Sequence, residues 1–449
     1  MINFPNDIID KYQIIEPLGE GGMGFVFKAT PLDADNEVAL KCCKFSDENF
    51  IRRFKREVRA IRGVDHKNVM RILDMNLDFN PPYYTMPLAD YSTFDILDEL
   101  SENHERAIDI FLDVCQGVQA LHNAGQCHRD IKPQNIMVMA DGGIVVSDFG
   151  LVKFMDRDST MLTKTMALLG TEIYMAPEQF LPEGARNAND RTDIYQLGKT
   201  LYHLYTGKSP ALLSDDGLPA GLWYIIQKAV RQNPSDRFAS VAELIDSIND
   251  YKASQDPHHN PEKSFSLIMQ EINDKLLNNI YEKQNVEALI LLLMGISGDD
   301  DFFLQLFDQI PLALLRAIVS DMPEDVEPLI VKYSEIIERS VGQKSFGYAE
   351  VVASKMSEIY KAANDISIRQ AAFTSVLCAA VDLNRFKAMN IFNSLLVSVS
   401  SQEEALMVAD VLRKHIKRYR NVFSQISKVQ LNPLVRAVWE QANEQGASD

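Results

Sequence analysis

His128-Arg129-Asp130-Ile131-Lys132-Pro133-Gln134-Asn135, followed after a short interval by Ser147-Asp148-Phe149-Gly150, decides how this chain reads. The first string sets a carboxylate, a lysine and an amide on one short loop. The second adds a carboxylate beside a glycine. Moving a phosphoryl group onto a hydroxyl needs that set: one carboxylate accepts the hydroxyl proton, a cation steadies the moving group, and a carboxylate with an amide holds Mg²⁺. A lone Asp-Phe-Gly carries little information; the two strings in this order and at this separation carry a great deal.

Upstream stands Leu18-Gly19-Glu20-Gly21-Gly22-Met23-Gly24-Phe25-Val26, between two apolar runs at 12–15 and 25–29. Their alternation and aromatic content predict two strands with the glycines at the hairpin. On their own these glycines read as a plain turn. A dinucleotide fingerprint needs a helix directly after them, and here a strand follows. Next comes Val38-Ala39-Leu40-Lys41, a strand ending in a lysine, and then an amphipathic helix around Phe54-Lys55-Arg56-Glu57-Val58-Arg59-Ala60-Ile61. Its stripe is Phe54, Val58 and Ile61, and Glu57 adjoins it. Taken singly, Lys41 is an edge-strand lysine in solvent and Glu57 a surface partner one helical turn from a cation. Downstream lie a hydroxyl-rich run with Ser159, Thr160, Thr163 and Thr165, the string Gly170-Thr171-Glu172-Ile173-Tyr174-Met175-Ala176-Pro177-Glu178, then Asp193-Ile194-Tyr195-Gln196-Leu197-Gly198 and Asn233-Pro234-Ser235-Asp236-Arg237.

In this order, over residues 12–250, these strings resemble the serine/threonine protein kinases. The resemblance is closest to their bacterial eukaryotic-like branch, through Pro-Gln-Asn in the catalytic loop and the Thr-rich run before Gly170-Thr171. It implies ATP as phosphoryl donor and Mg²⁺ as cofactor. Asp130 would accept the substrate proton, Lys132 would steady the γ-phosphoryl, and Asn135 with Asp148 would hold the metal. Lys41 would lie on the α- and β-phosphates, held by Glu57. Leu18, Gly19, Gly21 and Gly24 would cover the nucleotide; Val26 and Ala39 would pack on the adenine from one side and Met137 from the other. Met86 takes the gatekeeper position, and the backbone of Pro87 and Ala89 would pair with the adenine edge. Lys132 in this loop is the serine/threonine pattern. Arg129 before Asp130 implies activation by phosphorylation, with Thr163 and Thr165 favoured over Thr160 and Ser159. Arg237 would pair with Glu178 beneath the activation segment.

The chain has 449 residues, too many for one kinase domain. Its formal charge is −18, about −11 on residues 1–252 and about −7 on the remainder, so neither half is basic and nucleic-acid binding is not expected. The cysteines, Cys42, Cys43, Cys115, Cys127 and Cys378, have no zinc-ligand spacing and suggest reduced thiols in a cytoplasmic protein. No targeting segment is visible near Met1, and the longest apolar run, 288–294, is far short of a membrane span.

Ala253-Ser254-Gln255-Asp256-Pro257-His258-His259-Asn260-Pro261 reads as a linker after a last kinase helix at 241–248. Beyond it, helical periodicity dominates, with candidate helices at 264–281, 311–320, 348–362, 366–381, 402–419 and 433–443. Asp365-Ile366-Ser367-Ile368-Arg369-Gln370-Ala371-Ala372 resembles the start of a second helix in a HEAT-type repeat. The expected fold class is α+β: a bilobal kinase fold over 1–252, with lobes of about 1–88 and 89–252, a linker at 253–261, and an all-helical bundle or α-solenoid over 262–449. That last region would recruit protein substrates or partners, or regulate the kinase. Its basic run, Arg413 to Arg420, would suit an acidic protein partner. The alternative is a pseudokinase, a nucleotide-dependent switch whose helical region is the effector scaffold.

Overall fold

The computed structural model describes residues 8–20, 24–148, 172–181, 188–255, 260–278, 280–382, 386–415 and 430–446. The chain divides into two compact units, Met1–Lys252 and Ala253–Asp449.

The first unit opens with an antiparallel sheet of six strands: β1 Ile8–Ile9, β2 Tyr12–Glu20, β3 Gly24–Pro31, β4 Val38–Cys43, β5 Asp74–Asn76 and β6 Tyr83–Pro87, in the order β1-β2-β3-β4-β6-β5. Strand periodicity sorts its side chains. Phe27, Ala29, Val38, Leu40, Cys42 and Tyr83 form one buried face with Ile9, Tyr12 and Ile14. The register pairs Val26 with Lys41 and Ala39 with Met86, so these four share the opposite face. Strand β4 is therefore buried on both sides along its whole length. Helix α1, Glu48–Ile61, starts earlier than its apolar stripe suggests. The Asp47 carboxylate accepts the Asn49 and Phe50 N–H groups at its first turn.

The rest of this unit is mainly helical: α2 Leu97–Glu102, α3 His104–Asn123, α4 Asp190–Thr206, α5 Ala220–Ala229 and α6 Val241–Ser254, with a small sheet of β7 Tyr91–Ser92, β8 Ile136–Val138 and β9 Ile144–Val146. Helix α4 is the core of this lobe. It is capped by Asn189, whose side chain accepts the Arg191 N–H, and ends at Gly207 with φ +65°. Helix α6 corrects the expected boundary. It runs to Ser254, well past residue 248, so the segment read as a linker begins inside a helix. Tyr251, buried on the lobe core, is what carries the helix on.

The second unit is helical throughout its described residues: α7 Pro261–Leu277, α8 Lys283–Gly295, α9 Asp300–Gln309, α10 Leu312–Asp321, α11 Pro323–Ser340, α12 Phe346–Ala362, α13 Ile366–Asp382, α14 Phe386–Ser398, α15 Gln402–Lys414 and α16 Pro433–Gly446. Asn260 caps α7, accepting the Lys263 N–H, and Pro261 takes the first helical position. Helices α8, α9, α11 and α14 are additional to the sequence reading, and α7 lies a few residues before the expected 264–281. Helix α13 packs against α11, α12, α14 and α15. Its small residues Ala371, Ala372, Ser375, Ala379 and Ala380 let four neighbours approach.

Two lysines close helix ends in this unit. Lys332 on α11 donates to the carbonyls of Leu293, Met294 and Ile296 at 3.0, 3.1 and 2.6 Å, and its ammonium lies 4.6 Å from the Phe303 ring centroid. Lys355 on α12 reaches the Asp308 carbonyl at 2.9 Å at the end of α9. Each satisfies carbonyls that a helix C-terminus leaves open. In the expected basic run, Arg413 and Lys414 end α15 and His415 is buried; residues 416–420 lie outside the described residues.

Candidate active site

The catalytic loop is held from below by α4. The buried Asp193 carboxylate accepts the His128 N–H at 2.7 Å on Oδ2 and the Arg129 N–H at 2.7 Å on Oδ1. His122 of α3 adds an imidazole 2.8 Å from the same Oδ2. This grip holds Arg129 at φ +67°, a left-handed conformation that costs a residue with a Cβ roughly 1–2 kcal/mol. Asp148, at φ +58°, is the second such residue of the site. Backbone strain of this kind persists where surrounding bonds over-determine it.

His128 ties the two motif strings together. Its Nε2–H donates to the Ser147 carbonyl at 3.0 Å, and its Nδ1 accepts the Asp130 N–H at 3.3 Å. Burial pushes the imidazole below its usual pKa, so the ring is neutral, as those two bonds require. The Asn135 carbonyl accepts from both the N–H and the hydroxyl of Ser147, at 2.8 and 3.2 Å. Asn135 and Asp148 are thereby drawn to one place.

Around Asp130 the side chains converge. Lys132 Nζ stands 3.0 and 2.9 Å from the two carboxylate oxygens. The Asn135 amide donates to the Asp130 carbonyl at 2.7 Å and to its Oδ2 at 3.0 Å. A carboxylate so placed can take a proton from a hydroxyl, with the lysine beside it to meet negative charge on a transferred group.

Lys41 rises from the sheet to the same region. It is 2% exposed and forms an ion pair with Asp148. Burial works to raise the Asp148 carboxyl, but the Lys41 ammonium outweighs it and holds the group below the usual carboxylate range. Among the described residues, Asp148 is thus a partner of Lys41. Glu57 sits on α1, and its side chain lies outside the described residues.

The other expected nucleotide contacts are distributed as follows. Val26, Ala39 and Met86 lie on the Lys41 face of the sheet. Pro87 ends β6, with Ala89 two residues on, and Met137 is half-buried on β8. Leu18 is 48% exposed near the end of β2, beside Gly19. Gly24 has a second duty: a Cβ there would stand 2.4 Å from the Cys42 carbonyl oxygen of the neighbouring strand. Gly21, Phe149, Gly150 and the candidates Ser159, Thr160, Thr163 and Thr165 lie outside the described residues.

The donor set fits the groups it would hold. An Asn carbonyl oxygen and an ionised carboxylate are the hard oxygen ligands that Mg²⁺ takes, alongside phosphate oxygens. A buried lysine on a sheet face, opposite an apolar row, suits a nucleotide's charged and flat parts together.

Below the loop, Glu178 and Arg237 meet through two parallel hydrogen bonds, Nη1 to Oε1 and Nη2 to Oε2, both 2.8 Å. The Arg237 guanidinium also lies 4.9 Å from the Tyr195 ring centroid. Sequence reasoning missed Gln179 and Gln196, which bond to the Arg129 carbonyl. The signal was a lone glutamine on the apolar face of α4, between Ile194 and Leu197.

Comparison with known proteins identifies the family. The protein kinase domain family matches residues 12–280, more than half of the chain, and the chain belongs to that family. The probable serine/threonine-protein kinase CPE1738 of Clostridium perfringens is 32% identical over 274 residues, 56% of this chain and 39% of that protein. Serine/threonine-protein kinase PknB of Mycobacterium tuberculosis is 31% identical over 269 residues, 54% of this chain and 42% of that one. The chain thus matches about two fifths of the length of these curated relatives. The crystal structure of the Mycobacterium tuberculosis PknI kinase domain aligns over 56% of this chain and 99% of that one, with 23% identity and a TM-score of 0.43. Among the described residues, no single helix is long and apolar enough to cross a membrane.

Proposed function

We propose that the protein is an ATP-dependent protein serine/threonine kinase. The observation that carries this reading is the cluster of Lys132 and Asn135 on the Asp130 carboxylate, with the Lys41–Asp148 pair beside it. ATP, with Mg²⁺, supplies the transferable γ-phosphoryl and the charge that neutralises its oxygens. Asp130 accepts the proton of the substrate hydroxyl, and Asn135 keeps that carboxylate oriented through its amide. Lys132 faces the transferred group. Asn135 and Asp148 hold the metal, and Lys41 positions the nucleotide. The apolar row of Val26, Ala39 and Met86, with Met137 opposite, forms the adenine slot, and its edge pairs with the Pro87 and Ala89 backbone.

The reading extends to autophosphorylation among Ser159, Thr160, Thr163 and Thr165, since a phosphate there would pair with Arg129. Reduced thiols at all five cysteines support a cytoplasmic setting. Purified protein incubated with radiolabelled ATP and Mg²⁺ tests this reading. Wild type should label itself or a generic acceptor protein on serine or threonine. Asp130→Asn, which keeps the shape and the Asn135 contact, should lose that labelling while melting like wild type. A fully active Asp130→Asn protein would remove Asp130 from the role of base.

For the second unit we propose recruitment of a protein partner or restraint of the kinase. Support comes from its stacked amphipathic helices, whose apolar faces are spent on one another and leave outer faces for recognition. An acidic partner would suit Arg413 and Lys414, and added salt should weaken that contact. Comparing the targets and partners of full-length protein with those of a chain ending after residue 280, which retains the whole family match, tests the proposal. Identical targets, partners and self-labelling would sink it.

A further inference from the structure

The peptide groups on both sides of Asp130 are gripped by one side chain from another element. Gln196 of α4 is 1% exposed. Its Oε1 accepts the Ile131 N–H at 2.9 Å, and its Nε2 donates to the Arg129 carbonyl at 2.9 Å. A neutral carboxamide is suited to this because it offers a donor and an acceptor on adjacent atoms. The grip has a continuation. Gln196 Nε2 also donates to Gln179 Oε1 at 3.0 Å, Gln179 Oε1 accepts the Ala176 N–H at 2.8 Å, and Gln179 Nε2 reaches the Arg129 carbonyl at 3.3 Å. The Ala176-Pro177-Glu178-Gln179 turn is itself anchored by Arg237.

Asp193 holds the N–H side of the left-handed Arg129, while the two glutamines hold its carbonyl side. Without the second hold, that peptide unit is steadied only by the longer 3.3 Å bond from the Asp130 N–H to His128 Nδ1 among the bonds described above. The direction of the Asp130 carboxylate follows that rotation.

We propose that Gln196 is a positioning residue. It clamps both peptide groups flanking Asp130 and, through Gln179, makes the aim of the Asp130 carboxylate depend on the Ala176–Gln179 turn being seated. This rests on the reading of Asp130 as the base. It gives that site a built-in dependence: a turn displaced at Ala176 withdraws Gln179, and Gln196 loses one of its fixed points. The path runs through discrete hydrogen bonds with defined donors, so its members should act as a unit rather than additively.

The test uses full-length protein and three variants. Gln196→Met keeps the reach and apolar body without the amide. Gln196→Glu keeps the acceptor for Ile131 but loses the donor to Arg129 and Gln179. Gln179→Ala removes the continuation together with the longer 3.3 Å bond to the Arg129 carbonyl and touches a half-buried residue, so it serves if the core variants fold poorly. Backbone hydrogen exchange over residues 128–132 should accelerate in Gln196→Met, with exchange in strands β2 to β4 unchanged. The kcat should fall about tenfold or more, as small misplacements of a reacting group do, with KM for ATP within about twofold of wild type. Gln196→Glu should lie between, and adding Gln179→Ala to Gln196→Met should cost less than Gln179→Ala does alone, since only its 3.3 Å bond to the Arg129 carbonyl then remains to be lost. Unchanged loop exchange and unchanged kcat in a folded Gln196→Met protein would overturn the proposal. So would additive losses in the double variant. If wild type transfers no phosphate, the kinase reading fails, and the exchange measurement still decides whether the clamp exists.

Discussion

Arg237 Nη1 and Nη2 meet Glu178 Oε1 and Oε2 in a two-pronged contact, both prongs 2.8 Å, with the arginine side chain fully buried and the glutamate nearly so. Burial alone would raise the Glu178 carboxyl, but the Arg237 bonds outweigh it and hold the group below its usual range. The guanidinium is saturated by further bonds to the carbonyls of Arg231, Gln232 and Arg191. Taking away one member leaves a buried charge or several carbonyls without partners, a change worth about 3–5 kcal/mol. In a unit of this size that lowers the melting temperature by about 6–20 °C, since each kcal/mol moves it by roughly 2–4 °C. Thermal melts of Glu178→Gln and Arg237→Met should show drops of that order. The double variant Glu178→Leu/Arg237→Met should lose less than the sum. A shift under about 2 °C in either single variant would mean that the contact contributes little.

This pair was legible in the sequence because both members sit in strings with fixed spacing, Ala-Pro-Glu and Asn-Pro-Ser-Asp-Arg. The same is true of Lys41, Asp130, Lys132, Asn135 and Asp148, which fall on three short strings. What stayed hidden has no local pattern. The catalytic-loop partners of Gln196 lie 65 and 67 residues away in sequence, so only the tertiary fold shows what its amide meets there. Helix α8 is apolar nearly all round, with Leu289 to Met294 buried, so it offers no stripe to read. Helix α11 carries Pro328 in its interior and Pro323 at its start, and proline reads as a breaker unless its position in the first turns is known. The end of α6 was misplaced because Ala253 and Ser254 look like linker residues, whereas Tyr251 just before them is locked in the core.

A second consequence concerns acid. His203 of α4 is 7% exposed, and its Nδ1 is hydrogen-bonded to the Tyr174 hydroxyl. Burial pushes this imidazole down to about 4. The unfolded chain binds the proton near pH 6.5 and the folded chain only near pH 4, so the unfolded state carries more protons between those values. Stability is therefore full above pH 6.5 and is lost as pH falls toward 4, by up to about 3 kcal/mol for this group. The carboxylates with lowered values, Glu178 among them, act only below about pH 4.5. Denaturant midpoints measured at pH 7.5, 6.0 and 5.0 should decline steadily in wild type. In His203→Gln, whose amide oxygen can accept from Tyr174 without titrating, the decline over this window should flatten in part, with the buried His128, also lowered by burial, keeping its share. Equal slopes for the two proteins would show that His203 does not set the acid response.

The last prediction separates two glycines of the same hairpin. Gly19 has nothing within 4 Å of the position a Cβ would take, and its φ is not in the left-handed region. Gly24 faces the backbone of β4 so closely that a Cβ would lie 2.4 Å from the Cys42 carbonyl oxygen and 3.3 Å from its carbon. The clash is with main chain, which cannot swing aside as a side-chain tip can. Relief requires β3 to lift away from β4 at the Gly24–Cys43 pair. Two pairs along, Val26 faces Lys41, so the displacement reaches the buried lysine that pairs with Asp148. Gly24→Ala should therefore destabilise the sheet by about 1–3 kcal/mol, the usual range for overpacking, and weaken nucleotide binding with it. Gly19→Ala should leave the melting temperature within about 1 °C of wild type, as surface changes commonly do. Thermal melts with and without ATP and Mg²⁺ measure both effects at once. If Gly24→Ala melts like wild type and keeps its full nucleotide-dependent shift, the close approach of β3 to Cys42 is not what makes glycine necessary there.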